Sequence, residues 1–211
     1  MDARVNESTP RTGAANSWRS SAPVLLRPVR PGDGALLDGL VRSLSDASRY
    51  RRFHAVVKEL SEPWRARLTH VAPDAAALLA IVRDDEREIA VGEARYATAE
   101  DVAADEREFA LVVADDWQGL GIGARLMRGL IRCAERADVR ALYGDVFADN
   151  TALLAFAQRL GFSQRRHPTD ARLARVVKVL RPAAGAAAQT GRAPATAVAS
   201  SLNACAIEGP A

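Results

Sequence analysis

Three glycines in five positions, in Gln118-Gly119-Leu120-Gly121-Ile122-Gly123-Ala124, carry the plainest chemical signal in the chain. Glycine lets the backbone turn tightly and lets a ligand approach it closely. The apolar residues that follow recur at helical spacing, so the loop opens a helix whose first amides lack intrahelical partners and carry the positive end of the dipole. Together these features make an anion site suited to a pyrophosphate. A P-loop is excluded, because the required Lys and Ser/Thr are absent. A dinucleotide fingerprint started at Gly119 needs Ala124 as its third small residue, and started at Gly121 it meets Leu126. It also arrives after two antiparallel strands rather than in an early βαβ unit. The form that fits without relaxation is Q-x-x-G-x-G, on Gln118, Gly121 and Gly123.

Flanking elements must hold this loop in place. Phe109 to Val113 is a short continuous apolar run, as expected of a strand covered on both faces. Ile122, Leu126, Leu130 and Ala134 recur every four residues, the stripe of an amphipathic helix. Upstream, Val24 to Val29 predicts a strand, Leu36 to Leu44 a helix, and two further helical pieces lie near Asp46 to Phe53 and Pro63 to His70. Ala77 to Val82 and Glu88 to Tyr96 predict a hairpin across a charged turn. Downstream, Val139 to Phe147 is a strand and Asn150 to Leu160 a helix stopped by Gly161, with strands at Phe162 to Arg165 and Leu173 to Leu180. Antiparallel strands first and a strand–helix–strand crossover later predict a mixed, mostly antiparallel α/β sheet flanked by helices. One domain is expected over 23–182, between a polar tail (1–22) and an alanine-rich tail (183–211), both expected to be disordered.

At the Q-x-x-G-x-G loop the sequence resembles the GNAT superfamily of acyl-CoA-dependent N-acyltransferases. Asn150 and Gly161-Phe162 match the family's later helix, which usually starts with Asn and ends in Gly-Phe. Leu26-Arg27-Pro28-Val29-Arg30-Pro31, Ser45 to Phe53, Gly92 to Tyr96 and Glu108-Phe109-Ala110 are similar to the acetyltransferase domain of bacterial Pat-type protein lysine acetyltransferases.

The resemblance implies acetyl-CoA as co-substrate, with no metal. Gln118, Gly119, Leu120, Gly121, Ile122, Gly123 and Ala124 would hold its pyrophosphate, Leu111, Val112 and Val113 its pantetheine arm, and Asn150 would contact it. It also implies a backbone amide near Leu111 to Val113 as oxyanion donor and Glu108 as general base. Glu108 fits an exposed strand-start charge as well. The Tyr that often protonates the leaving thiolate, seven residues after the Asn, is Ala157 here, which leaves that acid unassigned. Tyr143 and Tyr96 read first as packed strand aromatics, and His54 and His70 as surface or capping residues. Cys133 lies on the apolar helical stripe, so direct attack in a ternary complex is expected rather than an acyl-cysteine. Arg125 and Arg128 suit coenzyme phosphates and open solvent equally. The acceptor expected is a protein lysine side chain, with a small amine or a non-catalytic acyl-CoA-binding role as alternatives.

Composition narrows the classes. The 211 residues carry a net charge of +3, with Lys58 and Lys178 the only lysines, and no basic patch interleaved with aromatics, so nucleic acid is not an expected partner. Two cysteines, Cys133 and Cys205, exclude a zinc finger. No apolar run spans a membrane and no apolar leader precedes the domain, so a cytoplasmic protein is expected, as monomer or dimer.

Overall fold

The computed structural model describes residues 22–85, 87–99 and 105–180. The expected tails lie outside them, except that Ala22 packs against the core. Strands β1 (Leu25–Pro28), β2 (Ala76–Asp84), β3 (Arg87–Ala97), β4 (Glu106–Val113), β5 (Ala141–Phe147), β6 (Ser163–Arg166) and β7 (Leu173–Val179) alternate with helices α1 (Gly34–Ser43), α2 (Asp46–Phe53), α3 (Glu62–Thr69), α4 (Ile122–Arg136) and α5 (Thr151–Arg159). The strands form one sheet in the order β1-β2-β3-β4-β5-β7-β6. Only β4 and β5 run parallel, because α4 carries the chain between them as a crossover. The mixed, mostly antiparallel sheet expected from the order of patterns is therefore the one found.

Residue choice explains the layers. Ala76 to Val82 is buried throughout, as a strand covered on both faces requires. Against one face lies α4, which buries Ile122, Leu126, Met127, Leu130, Cys133 and Ala134. Gly92 permits that approach: a Cβ there would stand 3.0 Å from Leu126 Cδ1 and 3.2 Å from the Val112 carbonyl oxygen. On the other face Glu93 accepts from Arg52 of α2 at 3.0 Å, and Arg95 donates to the Leu68 carbonyl of α3 at 2.8 Å. Buried Arg27 clamps the first strand, with paired bonds to Asp33 (2.7 and 2.8 Å) and a third to Glu88 on β3 (2.9 Å).

Boundaries shift where hydrogen bonds overrule apolarity. Val139 belongs to the turn that ends α4, donating to the Ala134 carbonyl at 3.0 Å, so β5 starts only at Ala141. Leu180 donates to the Arg140 carbonyl just past the end of β7. Gly161 ends the last helix with φ 81°, as its position predicts.

Candidate active site

The site begins where two strands part. β4 and β5 pair only over Glu106–Glu108 with Ala141–Tyr143. Beyond that point β4 follows β3, as far as Val113 opposite Gly92, while β5 follows β7 to Phe147 opposite Leu173. Among the described residues, the edge of Phe109 to Val113 that faces β5 therefore has no strand partner. A wedge opens there, with backbone donors and acceptors along one wall, a type of surface normally satisfied by another chain or by a ligand.

The glycine loop stands at the wide end of the wedge. After Val113 a 3₁₀ turn, Asp115–Trp117, anchors itself by burying Trp117, and Gln118 folds back to donate to the Val113 carbonyl at 3.1 Å. Gly119 and Gly121 take φ of 77° and 78°, and a Cβ on either would meet nothing within 4 Å. Conformation, not crowding, thus demands glycine at these two positions, and the space before them is open. Gly121 at the N-cap offers no side chain to the first amides of α4, which lack partners within the helix. A Cβ on Gly123 would lie 3.7 Å from each of Leu111, Val113 and Phe156, which places the start of α4 against the β4 wall and the middle of α5. Asn150 caps α5, its side-chain oxygen accepting from the Leu153 amide at 3.3 Å.

Glu108 marks the apex as the last residue of β4 paired with β5, opposite Tyr143. Its side chain reaches solvent, yet lost hydration and then the charge of Asp145 push its carboxyl above the usual carboxylate range, against Arg175 and Arg52. Tyr143 is buried, and desolvation followed by the Glu108 charge moves its phenol up to about 12. Tyr96, also buried, is pushed to about 12 by desolvation. Neither ionises near neutral pH. Of the residues singled out in the sequence, Glu108 stands at the apex, Leu111 to Val113 run along the open edge and Gln118 to Gly121 form the loop beyond it. Gly123 and Ala124 open α4 and Asn150 caps the helix after β5, whereas Ile122 is buried in the core.

The structure adds partnerships that sequence reasoning did not assign. Asp145, beyond the last parallel pair, takes two bonds from Arg175 (both 2.8 Å) and meets His167 Nε2 at 3.1 Å. Phe147 lies between Tyr50, stacked at 5.3 Å, and His54, tilted at 4.8 Å. Burial lowers the His54 pKa, opposed by Asp145 and assisted by Arg52. The alternation Tyr143, Asp145, Phe147 places three functional types on one strand face, a signal visible in the sequence. Arg125 donates to the Val24 carbonyl at 2.8 Å, and Ala157 is buried. Cys133 is buried on the core side of α4.

Comparison with known proteins gives a consistent picture. Residues 40–162 match the acetyltransferase (GNAT) family. The chain is 36% identical over 148 residues to Acetyltransferase PA5475 of Pseudomonas aeruginosa, covering 70% of this chain and 78% of that one. It is 35% identical over 139 residues to Acetyltransferase Pat of Mycolicibacterium smegmatis, covering 64% of this chain and 40% of that longer protein. The crystal structure of the GNAT domain of S. lividans PAT superposes with a TM-score of 0.65 at 26% identity, covering 74% of this chain and 89% of that one.

Proposed function

We propose, from the premise that this chain belongs to the GNAT family of acetyltransferases, that it moves the acetyl group of acetyl-CoA to a lysine side chain of a protein. The observation that carries this reading is the parting of β4 and β5 directly above Glu108, with the glycine loop at its wide end. The coenzyme fits the donor set: unpaired amides of α4 for the pyrophosphate, and the free edge of Leu111 to Val113 for an amide-bearing arm. When bound, it supplies a thioester that activates the acetyl group.

This chain supplies the rest. A lysine ammonium with pKa ~10.4 is deprotonated at pH 7 only to about one part in 10³·⁴, a handicap of roughly 4.6 kcal/mol. Glu108, at the apex, takes that proton directly or through a water. Its raised pKa makes it a better base than an ordinary glutamate. A backbone N–H on the free edge of β4 faces the carbonyl oxygen as charge builds on it. An alkyl thiol is a stronger acid than a lysine ammonium, so the coenzyme would leave as its thiolate, with the residue that protonates it unassigned. Exposed Tyr50, with His54 and Phe147, offers an aromatic wall for the aliphatic stem of the acceptor.

The first test is Glu108→Gln. Acceptor-dependent release of free thiol is expected to fall ~10²–10⁴-fold, while acetyl-CoA still raises the melting temperature. The active form is the carboxylate, so the wild-type rate rises with pH through a midpoint above the ordinary carboxylate range. Unchanged turnover with an unchanged pH profile would reduce Glu108 to a surface charge. Lysine acetylation is checked by mass spectrometry of a lysate incubated with acetyl-CoA and the enzyme. Thiol release with small amines alone would instead identify a small-molecule acceptor.

A further inference from the structure

We propose that Asp145 and Arg175 are positioning residues for this reaction: a fixed ion pair across β5 and β7 that sets the charge facing Glu108 and so the pH range in which Glu108 accepts a proton. The inference rests on the reading of Glu108 as the base. Its grounds are geometric. Tyr143 is the last residue of β5 paired with β4, and Asp145 is two residues further along the same face. Two carboxylates therefore stand on either side of the apex, one on each diverging strand.

They are not equivalent. Both oxygens of Asp145 are committed to the forked guanidinium of Arg175, and Oδ2 also meets His167 Nε2. His167 is held by its other nitrogen, where Nδ1 accepts from the amides of Asp170 (2.9 Å) and Thr169 (3.3 Å). These two amides orient the ring so that Nε2 faces Asp145, with Arg175 3.5 Å away. Both oxygens of Asp145 are thus held by Arg175, and Oδ2 also by His167. Among the described residues Glu108 accepts no comparable fork, and its side chain is exposed. Arg175 also lies over the Tyr143 ring, 4.7 Å from its centre, which seats its charge beside the residue paired with Glu108. Arg52 near the end of α2 and Tyr143 on β5 also act on Glu108, Glu106 lies two residues back on the same face of its own strand, and His54 and His167 act on Asp145.

The pair makes opposite demands, which gives the test its sign. Asp145→Asn removes the anion and leaves Arg175, so Glu108 should ionise more easily. Arg175→Gln removes the cation and leaves two carboxylates across the apex, so Glu108 should ionise less easily. At a fixed pH on the rising limb, turnover is expected to change by about twofold or more in opposite directions in the two variants. The ¹³C resonance of the Glu108 carboxyl, titrated in ligand-free protein, should move its midpoint down in Asp145→Asn and up in Arg175→Gln. Arg175→Lys keeps the charge and loses the fork, and it serves where the Gln variant fails to fold. Its midpoint should stay closer to the wild type than to that of the uncharged variant. Midpoints that stay fixed, or move the same way in both variants, would overturn the proposal. A rising limb that persists in Glu108→Gln would overturn the assignment of the base instead, so the two failures are distinguishable.

Discussion

A carboxylate that loses hydration beside a second carboxylate weakens the fold whenever it is ionised, and Glu108 near Asp145 is in that position. Its folded pKa lies above its unfolded one. The penalty is therefore absent where both states are protonated and complete above the folded pKa. Glu108→Gln is expected to raise the melting temperature at neutral pH, with the gain vanishing below the ordinary carboxylate range, while activity is lost. Thermal melts at two pH values check this. At Gly121 the demand is conformational: φ 78° costs a residue with a Cβ about 1–2 kcal/mol. Relief of that strain would turn the loop amides away, so Gly121→Ala is expected to weaken acetyl-CoA binding about tenfold by calorimetry. Gly123→Ala meets only ordinary contacts at 3.7 Å and should fold normally. The glycines and Glu108 were legible in the sequence because strand, loop and helix are contiguous there. The partnership of Asp145 with Arg175 was not, because thirty residues separate them and only β5–β7 pairing joins them.

Helix α2 is an element held by its ends. It buries no residue fully, and its N-terminus is fastened by Asp115, whose carboxylate accepts from the Ser45 amide (2.8 Å), Ser45 Oγ (3.0 Å) and Ser48 Oγ (2.7 Å). Its far end rests on Phe147 through Tyr50 and His54. One end thus touches the segment after β4 and the other the end of β5, the two strands that diverge. Asp115→Ala removes all three bonds and is expected to speed amide exchange in Asp46–Phe53 while leaving the β2–β3 hairpin unchanged, as hydrogen-exchange mass spectrometry would record. The Asp115 carboxyl lies below its usual range, because the Ser45 and Ser48 bonds outweigh desolvation. Its stabilisation is therefore present above the unfolded pKa and lost as pH falls through the folded one. The sequence announced a helical piece near Asp46 to Phe53, but not the tether, whose partner lies seventy residues on.

Across the whole molecule, the sheet is closed at its first strand by buried charge. Arg27 and Asp33 expose 7% and 5% of their surface, and Glu88 completes the set from β3. Asp33→Ala leaves a buried guanidinium short of its main partner and is expected to cost about 3–5 kcal/mol in urea unfolding. That loss should fall on the entire fold rather than on the wedge, because the network ties β1 to the β2–β3 hairpin. Among the described residues no helix is long and apolar enough to cross a membrane.

The sequence by itself determined the local units: which runs are strands, which are helices, where Gly161 stops the last helix and where three glycines open an anion-binding loop. Periodicity, capping and glycine conformation act over a few residues, so they are written locally. Only the tertiary structure decided that β4 and β5 separate after Glu108, that Asp145 and Arg175 face Glu108 across the opening, and that α2 is fastened at both strands. Those arrangements depend on strand register and on hydrogen bonds between segments far apart in the chain, and no local pattern fixes them.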